Sequence, residues 1–342
     1  MNGITVLGGL GALSASIAIV LLAGRDPGVR AFRGALLSGL GAGVITVSLG
    51  LAFELSDLTY LLGVVMFAVP VALLVELATI AAGADRLSRW VLVATWGLVV
   101  FPVSVLVPLG VAAACPGPEC AFEDFGGGLP LFVSAAAFLV LTWVSPVVPG
   151  ALRGQSPARL ALVLVLTGVG FLAWLVHLEG AWDAYVWRIV AAGTLAPLAS
   201  IAGWLVVDRL RGSGMPAVRI LAGGVAAGMV AIAPGAVSVH FPWTIIVGLL
   251  AGVTAAVVHS SRALAEAGEV ARWALAMLGA SAIGFLAPPI SGDAVGIVFS
   301  ARIAALSMPI LLFLGVSVFA IIASTPAWLL LRRHAMSLTG SR

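Results

Sequence analysis

The chain has no lysine and very little charge of either sign. Only 9% of its 342 residues are charged, all 17 basic residues are arginine, and the formal net charge is +3. So small an excess excludes the basic surface that nucleic acid requires, and nucleic acid is not expected as a partner. So few charges also leave no solvated exterior, which excludes a soluble domain. Cysteine is nearly absent: Cys115 and Cys120 are the only two, without a CxxC spacing or a neighbouring histidine, so neither a metal nor a redox pair is expected of them. No Ser/His/Asp set, metal-ligand cluster, phosphate loop or nucleotide fingerprint is present; neither an enzyme nor a cofactor is expected.

What is present is apolar sequence. The composition is 62% apolar with a mean hydropathy of +1.19, and runs of about 20 apolar residues recur from end to end, each able to cross a core of about 30 Å as a helix. About eleven such runs can be drawn, and the expected fold class is an all-α polytopic membrane protein. The first, Ile4–Gly24, has no basic residue before it and Arg25, Arg30 and Arg33 after it. That order is the reverse of a signal peptide's and reads as an outside-in span, with cleavage near Ser14–Ser16 as the alternative.

From there the ends alternate. Arginines follow at Arg86 and Arg89, Arg153 and Arg159, Arg209 and Arg211, Arg262 and Arg272, and Arg332 and Arg333, while carboxylates gather at Glu54 and Asp57, Glu119 to Asp124, Glu179 and Asp183, and Asp293. The positive-inside rule then places the N-terminus outside and the C-terminus inside, in a plasma (inner) membrane crossed many times. Most tryptophans fall near span ends, as rings favouring the headgroup level do; Trp96 and Trp174 fall mid-span. Cys115 and Cys120 are five positions apart in an outside loop, with Pro116 and Pro118 between them, and a structural disulfide is expected.

Several stretches, in order and at compatible spacing, resemble the ammonium transporter family that includes the Amt, Mep and Rhesus proteins. SLGLAFEL (Ser48–Leu55) resembles the end of the second span, VVMFAVPVALLVE (Val64–Glu76) the third, WGLVVFPVSVLV (Trp96–Val107) the fourth and FEDFGGG (Phe122–Gly128) the approach to the fifth. GFLAWLVHLEGAWDA (Gly170–Ala184) resembles the sixth, and the long stretch Leu221–Val253 the eighth and ninth. The resemblance implies a homotrimer among membrane lipids, each protomer with its own pore. It also implies an inverted 5+5 repeat, residues 4–148 and 158–289, with a last helix over 297–331, all in one domain covering residues 1–342.

The same resemblance assigns residues. Asp124 stands where the family has the acid that shapes the pore entrance, a carboxylate suited to backbone N–H groups at a helix start. The family's two pore histidines fall on Phe132 and Leu278, side chains that can neither donate nor accept a proton. Its stacked phenylalanine gate falls on Gly63 and His177, with Phe67 retained one turn on, and its cation-recruiting Trp and Ser fall near Pro108 and Ala181. His177 and Glu179, with Trp174 in the same span, make an altered gate and outer vestibule; against this, Glu179, Asp183 and Arg188 read equally as a solvated loop ion pair. Glu76, in the inner half of an apolar span, is a candidate intramembrane acid; pairing with an inner arginine and a watery inner mouth are the alternatives. His240 and His259, at span ends, read as interface residues.

Two functions follow. One is an Amt/Rh-like transporter or channel passing ammonium/ammonia or another small neutral solute, not electrogenic because the histidine pair is replaced. The other is a non-transporting sensor or partner subunit that uses the altered vestibule for a small neutral or cationic solute.

Overall fold

The structure is a computed structural model that describes residues 3–23, 25–54, 58–115, 122–141, 157–212, 214–293 and 296–339. The longer helices among the described residues are α1 (Gly3–Ala23), α2 (Arg25–Ala52), α3 (Leu58–Ala81), α4 (Arg86–Ala114), α5 (Leu129–Leu139), α6 (Pro157–Glu179), α7 (Ala184–Arg211), α8 (Ala217–Ile232), α9 (Phe241–His259), α10 (Glu269–Ser291) and α11 (Ser307–Thr339). Among the described residues nine helices are long and apolar enough to cross a membrane, and shorter apolar helices run over Val6–Leu21 and Leu129–Leu139. No strand occurs among the described residues, only an isolated bridge between Val239 and Gly292.

The last span starts later than the sequence reading placed it. Residues 297–306 form a short helix, Ile297–Ser300, and a 3₁₀ turn, Ile303–Leu306, before α11 begins. Ala301 lies between them at φ 55°, a left-handed conformation that ends the short helix and reverses the chain.

In lipid the tails are as apolar as the side chains, so helices gain by close packing and not by leaving water. The chain answers with glycine at crossings. α1 and α6 meet where a Cβ on Gly11 would stand 2.6 Å from the Gly170 carbonyl oxygen, and one on Gly170 would stand 2.7 Å from that of Gly11. That contact is reciprocal and sets the two backbones as close as glycine allows. α7 and α9 cross as closely, with Gly203 against the Leu249 carbonyl and Gly252 against that of Ser200.

Helices α4 and α5 each contain a π-turn, over Trp96–Val100 and Leu129–Val133. In the first the Phe101 N–H reaches the Trp96 carbonyl, and in the second Ser134 reaches Leu129. The two helices are joined beside these turns by the Trp96 indole, which donates to the Ser134 hydroxyl at 3.1 Å. Trp96 is buried, which accounts for its mid-span position.

Candidate functional site

The segment before α5 is fixed by one acid and by the other half of the chain. The Asp124 carboxylate accepts from the Gly128 N–H at 2.5 Å and the Leu129 N–H at 2.9 Å, so it satisfies two donors that a helix start leaves open. Phe125 and Gly126 donate their N–H groups to the Pro234 and Ala233 carbonyls, both at 2.9 Å, in the turn after α8. A Cβ on Gly126 would lie 2.6 Å from the Ala233 oxygen, and Gly127 adopts φ 54°. Phe125 and Gly126 therefore form a backbone-to-backbone joint with the turn after α8.

Beside this joint two carboxyls are held in partly dry surroundings. Burial pushes Glu123 up to about 7, with the charges of Asp124 and Asp293 acting in the same direction, while Ser238 and Arg188 pull it down. Burial also pushes Asp124 up to about 7, against the pull of its two backbone donors. Both raised carboxyls bind a proton more tightly folded than unfolded. The associated stability is complete below the ordinary values of 4.5 and 3.8 and is lost as pH rises through about 7. The melting temperature in detergent is therefore expected to fall between about pH 5 and pH 8, with a shallower slope in Glu123→Gln. An unchanged slope in that variant would contradict this assignment.

Below the joint, aromatic rings fill the centre. Trp174 of α6 is fully buried. It stacks on Phe67 of α3, ring centroids 4.3 Å apart and planes 20° apart, and receives the edge of Phe132 of α5 at 6.4 Å and 86°. Phe171, one turn earlier on α6, adds a tilted contact at 5.9 Å. The Trp174 indole N–H donates to the Gly63 carbonyl at 3.0 Å, which locks the ring's orientation. Stacked and edge-on pairs at these separations are worth about 1 kcal/mol each beyond the area they bury.

The structure thus brings Phe67, Phe132 and Trp174 together. Gly63 and His177 meet as well: His177 is buried, its ring in the space left by Gly63 and Gly8, where a Cβ on Gly8 would approach His177 Cδ2 to 2.5 Å. His177 is therefore part of the α1–α3–α6 packing and not an open vestibule wall. A Cβ on Gly63 would lie 2.4 Å from Leu178 Cδ2, so α6 occupies the volume that a gate ring at position 63 would need. Leu278 of α10 packs against the cluster of Leu129, Val133 and Phe285, beside α5.

Other expected residues stand apart. Pro108 is buried within α4, Ala181 and Trp182 are exposed, and Glu179 is half-buried at the end of α6. Arg188 pairs with Asp293 at 2.5 Å, not with Glu179 or Asp183; Asp183 caps α7, its carboxylate accepting from the Tyr185 N–H. Glu76 is only 4% exposed and has no ion pair among the described residues; it rests on the backbone of Gly34, where a Cβ would come within 2.3 Å of its Oε2. Glu76 is therefore a buried acid at the α2–α3 contact. Cys115 ends α4, whereas Cys120 lies outside the described residues. Sequence reasoning missed Phe171, although its spacing of three from Trp174 places both on one face. Among the described residues no three His, Cys, Asp or Glu side chains could share a metal ion.

A bundle of apolar helices closed by glycine crossings, with a capped Asp-Phe-Gly joint over a buried centre, is the ammonium transporter fold, and known structures match it over nearly the whole chain. The crystal structure of Candida albicans Mep2 superposes with a TM-score of 0.72 at 15% identity, covering 95% of this chain and 83% of that one. Saccharomyces cerevisiae Mep2 gives 0.70 at 14%, covering 95% and 83%, and a sensor Amt protein gives 0.71 at 14%, covering 96% and 91%. No protein-family model matches the sequence, and no curated protein sequence does.

Proposed function

We propose that this protein is a membrane transporter or channel, not an enzyme, that passes a small neutral solute of the ammonia or methylamine kind without moving net charge. The observation that carries this reading is the ring cluster of Phe67, Phe132 and Trp174 at the centre of an ammonium transporter fold. A dry aromatic lining offers nothing to a desolvated cation that must shed or relay a proton, and costs a neutral solute little. Phe132 and Leu278, in place of the family's histidines, leave no relay. The gate is assigned to Trp174 with Phe67 and to the Gly63–His177 contact, and the pore entrance to Asp124.

The family resemblance implies inverted repeats over 4–148 and 158–289. A homotrimer in the plasma membrane with the N-terminus outside, and a Cys115–Cys120 disulfide, complete the proposal. A sensor is the second reading, favoured by how completely Trp174 fills the centre. Vesicles holding the purified protein distinguish the two: methylamine uptake above that of empty vesicles, with no accompanying current, is expected. A saturable current would overturn neutral passage, and no uptake at all would favour the sensor.

A further inference from the structure

Four helices of the second half of the chain converge on one histidine. His259, the last residue of α9, is expected from its place at a span end to lie at the membrane interface; instead it is 3% exposed, and among the described residues neither ring nitrogen has a hydrogen-bond partner. Its ring lies 4.4 Å from that of Trp273 on α10 and 5.9 Å from that of Trp204 on α7, and the two indoles stack at 5.4 Å. Gly223 on α8 makes the space, since a Cβ there would stand 2.7 Å from Trp204 and 2.8 Å from Trp273.

The charged groups around this ring are few. Glu269, which opens α10, accepts from the Trp273 indole at 3.1 Å and from Arg272 at 2.6 Å, and lies 3.3 Å from Arg219 of α8. Its Oε1 is 3.7 Å from His259 Nε2. From α7, Arg211 is turned to the Val257 carbonyl and the Ser260 hydroxyl beside His259. Arg262, in the turn after α9, is exposed.

We propose that His259, Glu269, Trp204 and Trp273 form a proton-operated clasp at the arginine-rich end of the bundle. A neutral imidazole has a single N–H, so His259 is then held by ring packing and by one uncharged donor at most. A proton makes it a cation whose Nε2–H faces Glu269 Oε1 at 3.7 Å, with two indole rings 4.4 and 5.9 Å away. Arg272 bonds the other oxygen, Oε2, so His259 shares Oε1 with the Trp273 indole N–H and with Arg219. The added hold is present when His259 carries the second proton and absent when it does not. Leu278 follows Trp273 by five residues on α10, so the clasp fixes the helix that carries it.

The test is a double-mutant cycle on the full chain in lipid nanodiscs, reading thermal unfolding near pH 6 and near pH 8.5 for wild type, His259→Phe, Glu269→Gln and the double variant. The expected result is non-additivity in acid, equivalent to about a tenfold change in the unfolding equilibrium, and additivity in alkali. Additivity at both pH values would overturn the clasp. If His259→Phe does not fold, acid quenching of indole emission decides: it is expected in wild type and reduced in Glu269→Gln, and equal quenching in both overturns the proposal. This outcome is independent of solute flux.

Discussion

Asp124→Ala is expected to destabilise the protein by about 3 kcal/mol, and to do so without touching the ring cluster. The Asp124 carboxylate satisfies the Gly128 and Leu129 N–H groups at 2.5 and 2.9 Å. Alanine leaves both donors orphaned in surroundings from which water is largely excluded, and each orphan costs about 1–3 kcal/mol. Capping losses at ordinary helix starts, about 1 kcal/mol, set the lower bound. The damage reaches further than one helix, because the same turn holds Phe125 and Gly126 against the Pro234 and Ala233 carbonyls of the other half. Asn at this position keeps one acceptor and is expected to fall between alanine and wild type. Thermal melts followed by size-exclusion fluorescence in detergent read the series, and an Asp124→Ala melt matching wild type would refute the capping argument.

Much of this architecture was legible before any coordinates, for physical reasons that apply with special force in lipid. A helix must satisfy its own backbone there, so an apolar run of the right length is already an element. The breaks were legible through arginine and carboxylate, which cannot stay in the core. Asp124 is legible through the family resemblance, which places an acid at the pore entrance just before a helix start, where a carboxylate can accept backbone N–H groups. The late start of α11 was not, since residues 297–306 are, Arg302 apart, about as apolar as the helix after them, and the left-handed Ala301 that ends the first short helix has no sequence signal.

Side-chain partners were harder to read. Arg188 stands five residues from Asp183 in sequence, yet it bonds Asp293, over a hundred positions away, while Asp183 caps its own helix start. His259 looked like an interfacial tip, since an inner span end is where such tips belong. Its burial depends on Trp204, Gly223 and Trp273, three residues on three other helices, and no local pattern announces that. Glu76 was recognisable as anomalous from its neighbours, whereas the glycine that accommodates it lies on a different helix. The ring cluster sits between these cases: Trp174 was conspicuous as a mid-span tryptophan, but its stacking on Phe67 follows only from how α3 and α6 cross.

Trp174→Ala is expected to have the largest effect of all, on stability and flux together. Removing a fully buried indole costs about 3–5 kcal/mol when the site cannot collapse. Collapse is limited here: Gly63 has no side chain to move in, and α6 is held against α1 by a glycine contact that reaches the Trp174 backbone, where a Cβ on Gly11 would stand 3.0 Å from its nitrogen. The Gly63 carbonyl also loses the donor it had at 3.0 Å. What remains is a cavity bordered by Phe67, Phe132 and Phe171, apolar and continuous with the centre of the bundle. If the indole is the gate, removing it lowers the barrier to a neutral solute by more than about 1.4 kcal/mol, so methylamine permeability of loaded vesicles rises at least about tenfold while current stays absent. Phe132→Ala leaves Trp174 on Phe67 and is expected to raise permeability less. Folded Trp174→Ala protein with wild-type permeability would place the conducting path elsewhere and remove Trp174 from the gate.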